Sequence, residues 1–175
     1  MWAPTHRRLA GAVILIALGA LSPPGAAAAD DGSDRNKDVA AARQATAQFH
    51  AVQGALEAGF QADPYCAESP AGGMGYHYFN GEKFGSTDPR SPAVLLCAPD
   101  SGGGVRLAGV EYVVPDADQD LSTDGDRPSM FGVQFDGPMP GHFAGMPVHY
   151  DLHVWLWKHN PAGMFAEWNP GLSCS

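Results

Sequence analysis

The chain predicts an α+β fold: an antiparallel sheet with one N-terminal amphipathic helix packed on a face, joined by long Gly/Pro-rich loops. Three observations lead there. One long helical period, "DVAAARQATAQFHAVQGALEAGF", is followed by short β-type runs with no further helical period between them. The clearest of those runs, "VRLAGVEYVVP", is bounded by a glycine-rich turn before it and an acidic loop after it. Glycine and proline number 22 and 15 in 175 residues, which favours turns and irregular connections over a helix bundle.

The first element is a leader. "MWAPTHRR" is a positive start, Leu9 to Leu21 is an apolar run, and Ala27-Ala28-Ala29 before Asp30 offers small residues for cleavage. This is the pattern of a secretory signal peptide over residues 1–29, with a mature chain starting near Asp30. The run is shorter than the roughly 20 apolar residues a spanning helix needs, so no transmembrane segment is expected in the mature chain. His6 and Leu9 flank Arg7-Arg8 poorly for a twin-arginine signal, although both export routes stay open. The expected location is secreted, either extracellular or in the periplasm and cell envelope. Removing residues 1–29 takes away Arg7 and Arg8 and no acids, leaving 8 basic against 19 acidic residues, a balance of −11. Such a surface repels nucleic acid and anionic headgroups.

Residues 30–37, "DDGSDRNK", are polar and expected to be disordered; residues 38–175 are expected to form one globular domain. The helix is expected from Asp38 to Ala58, with Val39, Ala42, Thr46, Phe49, Val52 and Leu56 in one apolar stripe. Gly59 is its expected stop, and Phe60 can fold back on the last turn. His50 falls beside the stripe as a surface histidine. Met74 to Asn80 is a strand candidate, and Ala93 to Ala98 is an apolar run that reads as a strand covered on both faces. Val105 to Val114 is the next strand. Asp116 to Pro128 is an acidic loop, and Gly137 to Pro147 can be neither helix nor central strand. "HYDLHVWLW" comes after Pro147, is rich in aromatic residues, and reads as the last strand.

Cys66, Cys97 and Cys174 are an odd count, so an oxidising compartment leaves one unpaired. Cys97 lies inside the apolar run and is the expected free thiol. Cys66 and Cys174 lie in polar, turn-rich surroundings and are the expected disulfide, worth on the order of 4–5 kcal/mol in the chain-entropy account.

Strand geometry limits what the last strand can bind. His149 and His153 would stand about 13 Å apart along it, at ~3.3 Å per residue. Ligand nitrogens must come within about 2.1 Å of their ion, so a straight strand cannot give both to one ion. Steps of two residues are feasible, pairing Asp151 with either histidine. Alternation places His149, Asp151, His153, Trp155 and Trp157 on one side and Tyr150, Leu152, Val154 and Leu156 on the other. In the Val105 strand, Val105, Leu107, Gly109, Glu111 and Val113 share a side. Glu111 is a lone acid in an apolar run, costly to bury unless paired, hydrogen-bonded or bound to a cation. His77 lies on the opposite side from Tyr76 and Tyr78. Neighbouring strands can thus present His77, Glu111 and members of the set His149, Asp151 and His153 to one pocket. Two histidines and a carboxylate suit zinc, iron, manganese or copper.

The competing reading makes the same residues a structural polar network. A third reading is an aromatic-lined pocket for a small organic ligand, with Tyr78, Trp155 and Trp157 as walls. The acidic loop starts like a calcium-binding loop, with Asp116, Asp118 and Asp120, but Leu121 replaces the required glycine and Arg127 the last Glu. It reads as solvated. His142, in the flexible proline-glycine segment, could arrive as a ligand on a lid, but it is left outside the expected ligand set. A nucleophile elbow, a phosphate loop and a dinucleotide fingerprint are all missing from the sequence.

The segments "ESPAGGMGYHYFN", "RLAGVEYVVP" and "MPGHFAGMPVHYDLHVWLWKHNPAGMFAEWNP", with a terminal Cys174, resemble a family of exported bacterial proteins of unassigned function. From about His77 to Trp157 the chain is also remotely similar to the plant oil-body-associated proteins. The shared features are His77-Tyr78, the strand bearing Cys97, Arg106 to Tyr112, and His149-Tyr150-Asp151. That family carries Glu where Asp151 stands and tends to carry lysine where His153 stands. The resemblance therefore favours His77, Glu111 and His149 with Asp151, and it implies a possible lipid surface as partner. Two functions are expected to compete: an exported soluble domain with a divalent-metal site, and a non-enzymatic binding or envelope-associated module whose His/Glu cluster only braces the sheet. Neither names a reaction or an oligomeric state.

Overall fold

The structure is a computed structural model describing residues 32–175. The expected leader, and Asp30 and Asp31, lie outside the described residues. Helix α1 spans Gly32–Thr46, a 3-10 turn spans Ala47–His50, and α2 spans Val52–Glu57. Eight strands come after them: β1 Gln61–Ser69, β2 Gly72–Phe79, β3 Val94–Pro99, β4 Val105–Pro115, β5 Ser129–Met130, β6 Val133–Gln134, β7 Asp136–Met139 and β8 His149–Val154. Six of them form one antiparallel sheet in the order β1-β2-β3-β4-β8-β7, and β5 and β6 form a separate hairpin. The α+β class holds. Among the described residues no helix is long and apolar enough to cross a membrane.

The single helix expected over Asp38–Ala58 is corrected in two ways. It begins at Gly32, inside the segment read as disordered, and it breaks after Thr46. Thr46 is fully buried and its Oγ1 donates to the Ala42 carbonyl at 2.7 Å, a back-bond that bends helices. The break shifts the phase of α2 relative to α1, so Ala55 is buried while Leu56, expected in the stripe, is 44% exposed. The stop is as expected. Gly59 has φ +86°, its amide donates to Leu56 and that of Phe60 to Ala55, and Phe60 packs edge-on against Phe49 at 5.3 Å.

The sheet buries both faces of its centre. On one face Leu95, Cys97, Val110, Tyr112, Tyr150, Leu152 and Val154 pack with Ala42, Phe49 and Ala55 of the helical segment and with Met130, Phe131 and Phe135 of the hairpin region. On the other face Val94, Leu96, Ala108, Val113 and Trp155 form a second cluster with Leu172 from the tail. The tail reaches it because Asn169 and Gly73 exchange main-chain hydrogen bonds and Cys174 is bonded to Cys66, Cα to Cα 5.8 Å. Cys97 is the free, buried cysteine.

Two details of the sheet depart from simple alternation. Leu96 pairs with Gly109 but Cys97 pairs with Leu107, so Ala108 is a bulge residue. The bulge turns Leu107 to the helix face, although alternation assigns it to the side of Glu111. The Ala108 carbonyl left by the bulge accepts from both Trp157 and Lys158. Strand β1, not expected, is an edge strand with irregular pairing around Asp63-Pro64-Tyr65. The other edge, β7, contains Pro138.

Candidate metal centre

β-sheet register assembles the centre on the face opposite the helices. Val94, Glu111 and His153 stand abreast on β3, β4 and β8, and His77 on β2 stands abreast of Leu96. Partners in register share a face, so His77, Glu111 and His153 all project to one side. Gly75 helps bring β2 that close. It has φ +86°, and a Cβ there would collide with the Cys97 carbonyl.

His77 Nε2 lies 3.7 Å and His153 Nε2 3.8 Å from the same Glu111 oxygen, Oε2. These separations exceed hydrogen-bond length. They approach the ~3.4 Å that separates ligand atoms held about 2.1 Å from one tetrahedral ion. Both ring nitrogens of His153 are buried without a hydrogen-bond partner, and the residue is 1% exposed. A buried polar atom left unpaired costs about 1–3 kcal/mol, so two on one ring mark a place prepared for something else.

Electrostatics sharpen the picture. Burial pushes His153 down to about 3, helped by repulsion from His77 and His142. Burial also lowers His77 to about 4, against the pull of the Asp63 carboxylate. Both rings are neutral at pH 7 and offer a lone pair. Burial drives Glu111 well above the usual carboxylate range, with repulsion from Asp151 and Glu167 adding to it. A carboxyl in that state gives up its proton to an arriving cation.

A second group lies beside the first. His142, His149 and Asp151 each offer a ligand atom within 4.8 Å of the others, the same limit that the triad of His77, Glu111 and His153 meets. His149 is fully buried, and its Nδ1 lies 3.1 Å from the Pro147 carbonyl, which accepts the ring N–H. Nε2 is thereby left with a lone pair and has no partner. Asp151 Oδ1 is also unpartnered by hydrogen bonds and lies 3.6 Å from His153 Nδ1. Asp151 is raised to about 8, chiefly by burial and then by Asp136 and Glu167.

A cavity of about 370 Å³ is lined by His77, Glu111, His142, Asp151 and His153, while the fully buried His149 is not part of its lining. Its apolar walls include Phe79, Phe84, Phe143, Met139, Met146 and Trp168. The expected walls are corrected. Tyr78 and Trp157 lie on the helix face of the sheet, where Trp157 meets His50 edge-on at 4.5 Å. Trp155 belongs to the second cluster and donates to the Ala166 carbonyl, away from the cavity lining. The chain leaves the strand after Val154, so Trp155 keeps the side alternation assigns it while Trp157 crosses to the helix face.

Of the expected ligands, the structure gathers His77, Glu111 and His153 into one group and His149 and Asp151 into the other. Asp63 and Glu167, which escaped sequence reasoning, also line the cavity, as does His142, the lid ligand left outside the expected set. Only the fold brings the proline-glycine segment, β1 and the tail over this face. No family model, curated protein or solved structure matches the chain.

Proposed function

We propose that this chain is an exported divalent-cation-binding domain whose ion is held by His77, Glu111 and His153 at the floor of an apolar-walled cavity. One observation carries the reading: two neutral imidazole nitrogens converge on a single buried carboxylate oxygen at 3.7 and 3.8 Å, too far to bond it and well placed to share an ion with it. Two histidines and a carboxylate suit zinc, iron, manganese or copper. Three protein ligands leave a coordination position over, and the cavity walls favour a small molecule with an apolar body and one donor atom. Export is supported by the leader-like first 29 residues and by the Cys66–Cys174 bond. The reading is also supported by the resemblance drawn from the sequence, to an exported bacterial family and remotely to the oil-body-associated proteins, since His77 and Glu111 lie in the segments that carry it. The acidic balance works against an anionic lipid surface as partner.

The test is metal analysis of the mature protein, stripped with chelator and dialysed against Zn2+. Glu111→Gln and His77→Ala should each weaken the equivalent held by this triad at least about tenfold, the smallest loss seen for outer partners of metal ligands. A wild-type protein that retains no stoichiometric ion would instead support the bracing role, with the cluster acting only within the sheet.

A further inference from the structure

His149, Asp151 and His153 form one row on the cavity face of β8, and the row is too long for one ion. Its ends stand about 13 Å apart, at ~3.3 Å per residue. The structure resolves this by sorting the row into two groups, His153 with His77 and Glu111, and His149 and Asp151 with His142. We propose that this face of the sheet holds two divalent cations, the second bound by His142 and Asp151 of the cavity lining together with the buried His149, and that this second ion latches the 137–147 segment over the cavity. The proposal deepens the reading above and adds a site to it.

Three observations support the second position. The fully buried His149 has its Nδ1–H committed to the Pro147 carbonyl, so Nε2 is presented as a ligand and finds no hydrogen-bond partner among the described residues. The ring of His142 meets that of His149 edge-on, with centroids 4.8 Å apart, so the two arrive at one place from different segments. Asp151 stands between the positions: it belongs to the second group, and its Oδ1 is 3.6 Å from the His153 ring. A carboxylate so placed orients the histidine of one ion while it ligates the other.

The latch arises from where His142 sits. It is exposed, on a segment whose Met139, Phe143 and Met146 wall the cavity, and Phe143 stacks on Phe79 at 5.7 Å. Gly141 fixes the turn, since a Cβ there would collide with the Met146 carbonyl. An ion joining exposed His142 to buried His149 and Asp151 ties this segment to the sheet.

The experiment is equilibrium dialysis of the mature protein against Zn2+ with metal quantified per chain, using wild type, His142→Ala and Glu111→Gln. Two equivalents in wild type, falling to one in each variant, is the expected result. One equivalent that Glu111→Gln abolishes and His142→Ala leaves overturns the second position while the first reading stands. One equivalent that only His142→Ala abolishes overturns the pairing and the first reading together. Two equivalents retained by His142→Ala overturn the proposal by placing the extra ion elsewhere, as on the acidic 116–126 loop. Hydrogen exchange of wild type tests the latch without any variant: the second equivalent should slow the amides of residues 141–146, and unchanged exchange overturns it.

Discussion

Burial sets the protonation of Glu111, His77, Asp151 and His153, in opposite senses for imidazole and carboxyl. His77 and His153 titrate near 4 and 3 in the folded chain and near 6.5 when unfolded. Their contribution to stability is therefore complete above pH 6.5 and is lost as the pH falls through 4 and 3. Asp151, raised to about 8 from an unfolded value near 4, does the reverse: its contribution is complete below about pH 4 and is lost as the pH rises to 8. Between pH 6.5 and 8 only the carboxyl effect remains. The metal-free protein should thus melt at lower temperature at pH 8 than at pH 6.5, and Asp151→Asn should flatten that fall. Added Zn2+ should reverse the trend, because binding displaces the carboxyl protons; calorimetry in two buffers of different ionisation enthalpy would register the release. Cys97 offers a second check at this scale. Burial pushes its thiol up to about 12, so it should resist alkylation in the native state, and Cys97→Ser should cost about 1–3 kcal/mol through an added buried hydroxyl. Glu111 was legible as a lone acid in an apolar run, and His77 by its phase. His142 was not, because nothing local says that a proline-glycine segment will fold over a particular strand.

Among the elements, the central strands were easiest to read. Val94–Pro99 and Val105–Pro115 are long apolar runs whose burial follows from their composition. The failures have specific causes. Thr46 looks like an ordinary stripe position, yet its back-bond ends the helix there. Strand β1 carries Pro64 and a mixture of small and polar side chains, so it has neither period nor composition to announce it. The Ala108 bulge inverts side assignment on β4 before Gly109, but Glu111 and Val113 lie beyond it and keep their expected side. Gly75 gives a prediction at this level. Gly75→Ala places a side chain at φ +86° against the Cys97 carbonyl, so β2 must move away from β3. A loss of about 1–3 kcal/mol is expected in denaturant unfolding, from backbone strain alone. Zn2+ affinity should fall with it, since His77 rides on the same strand two residues later.

For the whole molecule, the division of faces decides what each half of the sequence is for. Helices and the β5–β6 hairpin close one side as a dry core, while β1, the 137–147 segment and the tail wall the cavity on the other. The Cys66–Cys174 bond spans a sequence separation of 108 and joins the tail, which carries Glu167 and Trp168, to β1, which carries Asp63 and Tyr65. Replacing both cysteines with serine should lower stability by about 4–5 kcal/mol on the chain-entropy account, read by thermal or denaturant melting. The sheet order also leaves β1 and β7 outermost. Pro64 and irregular pairing interrupt one, and the other is short and contains Pro138. Each rim thus lacks an amide where an incoming strand would look for one, so a neighbour's backbone finds no continuous row to extend. Crowded at high concentration, copies of the chain can touch without knitting into ribbons, and Pro64→Val should weaken that protection first.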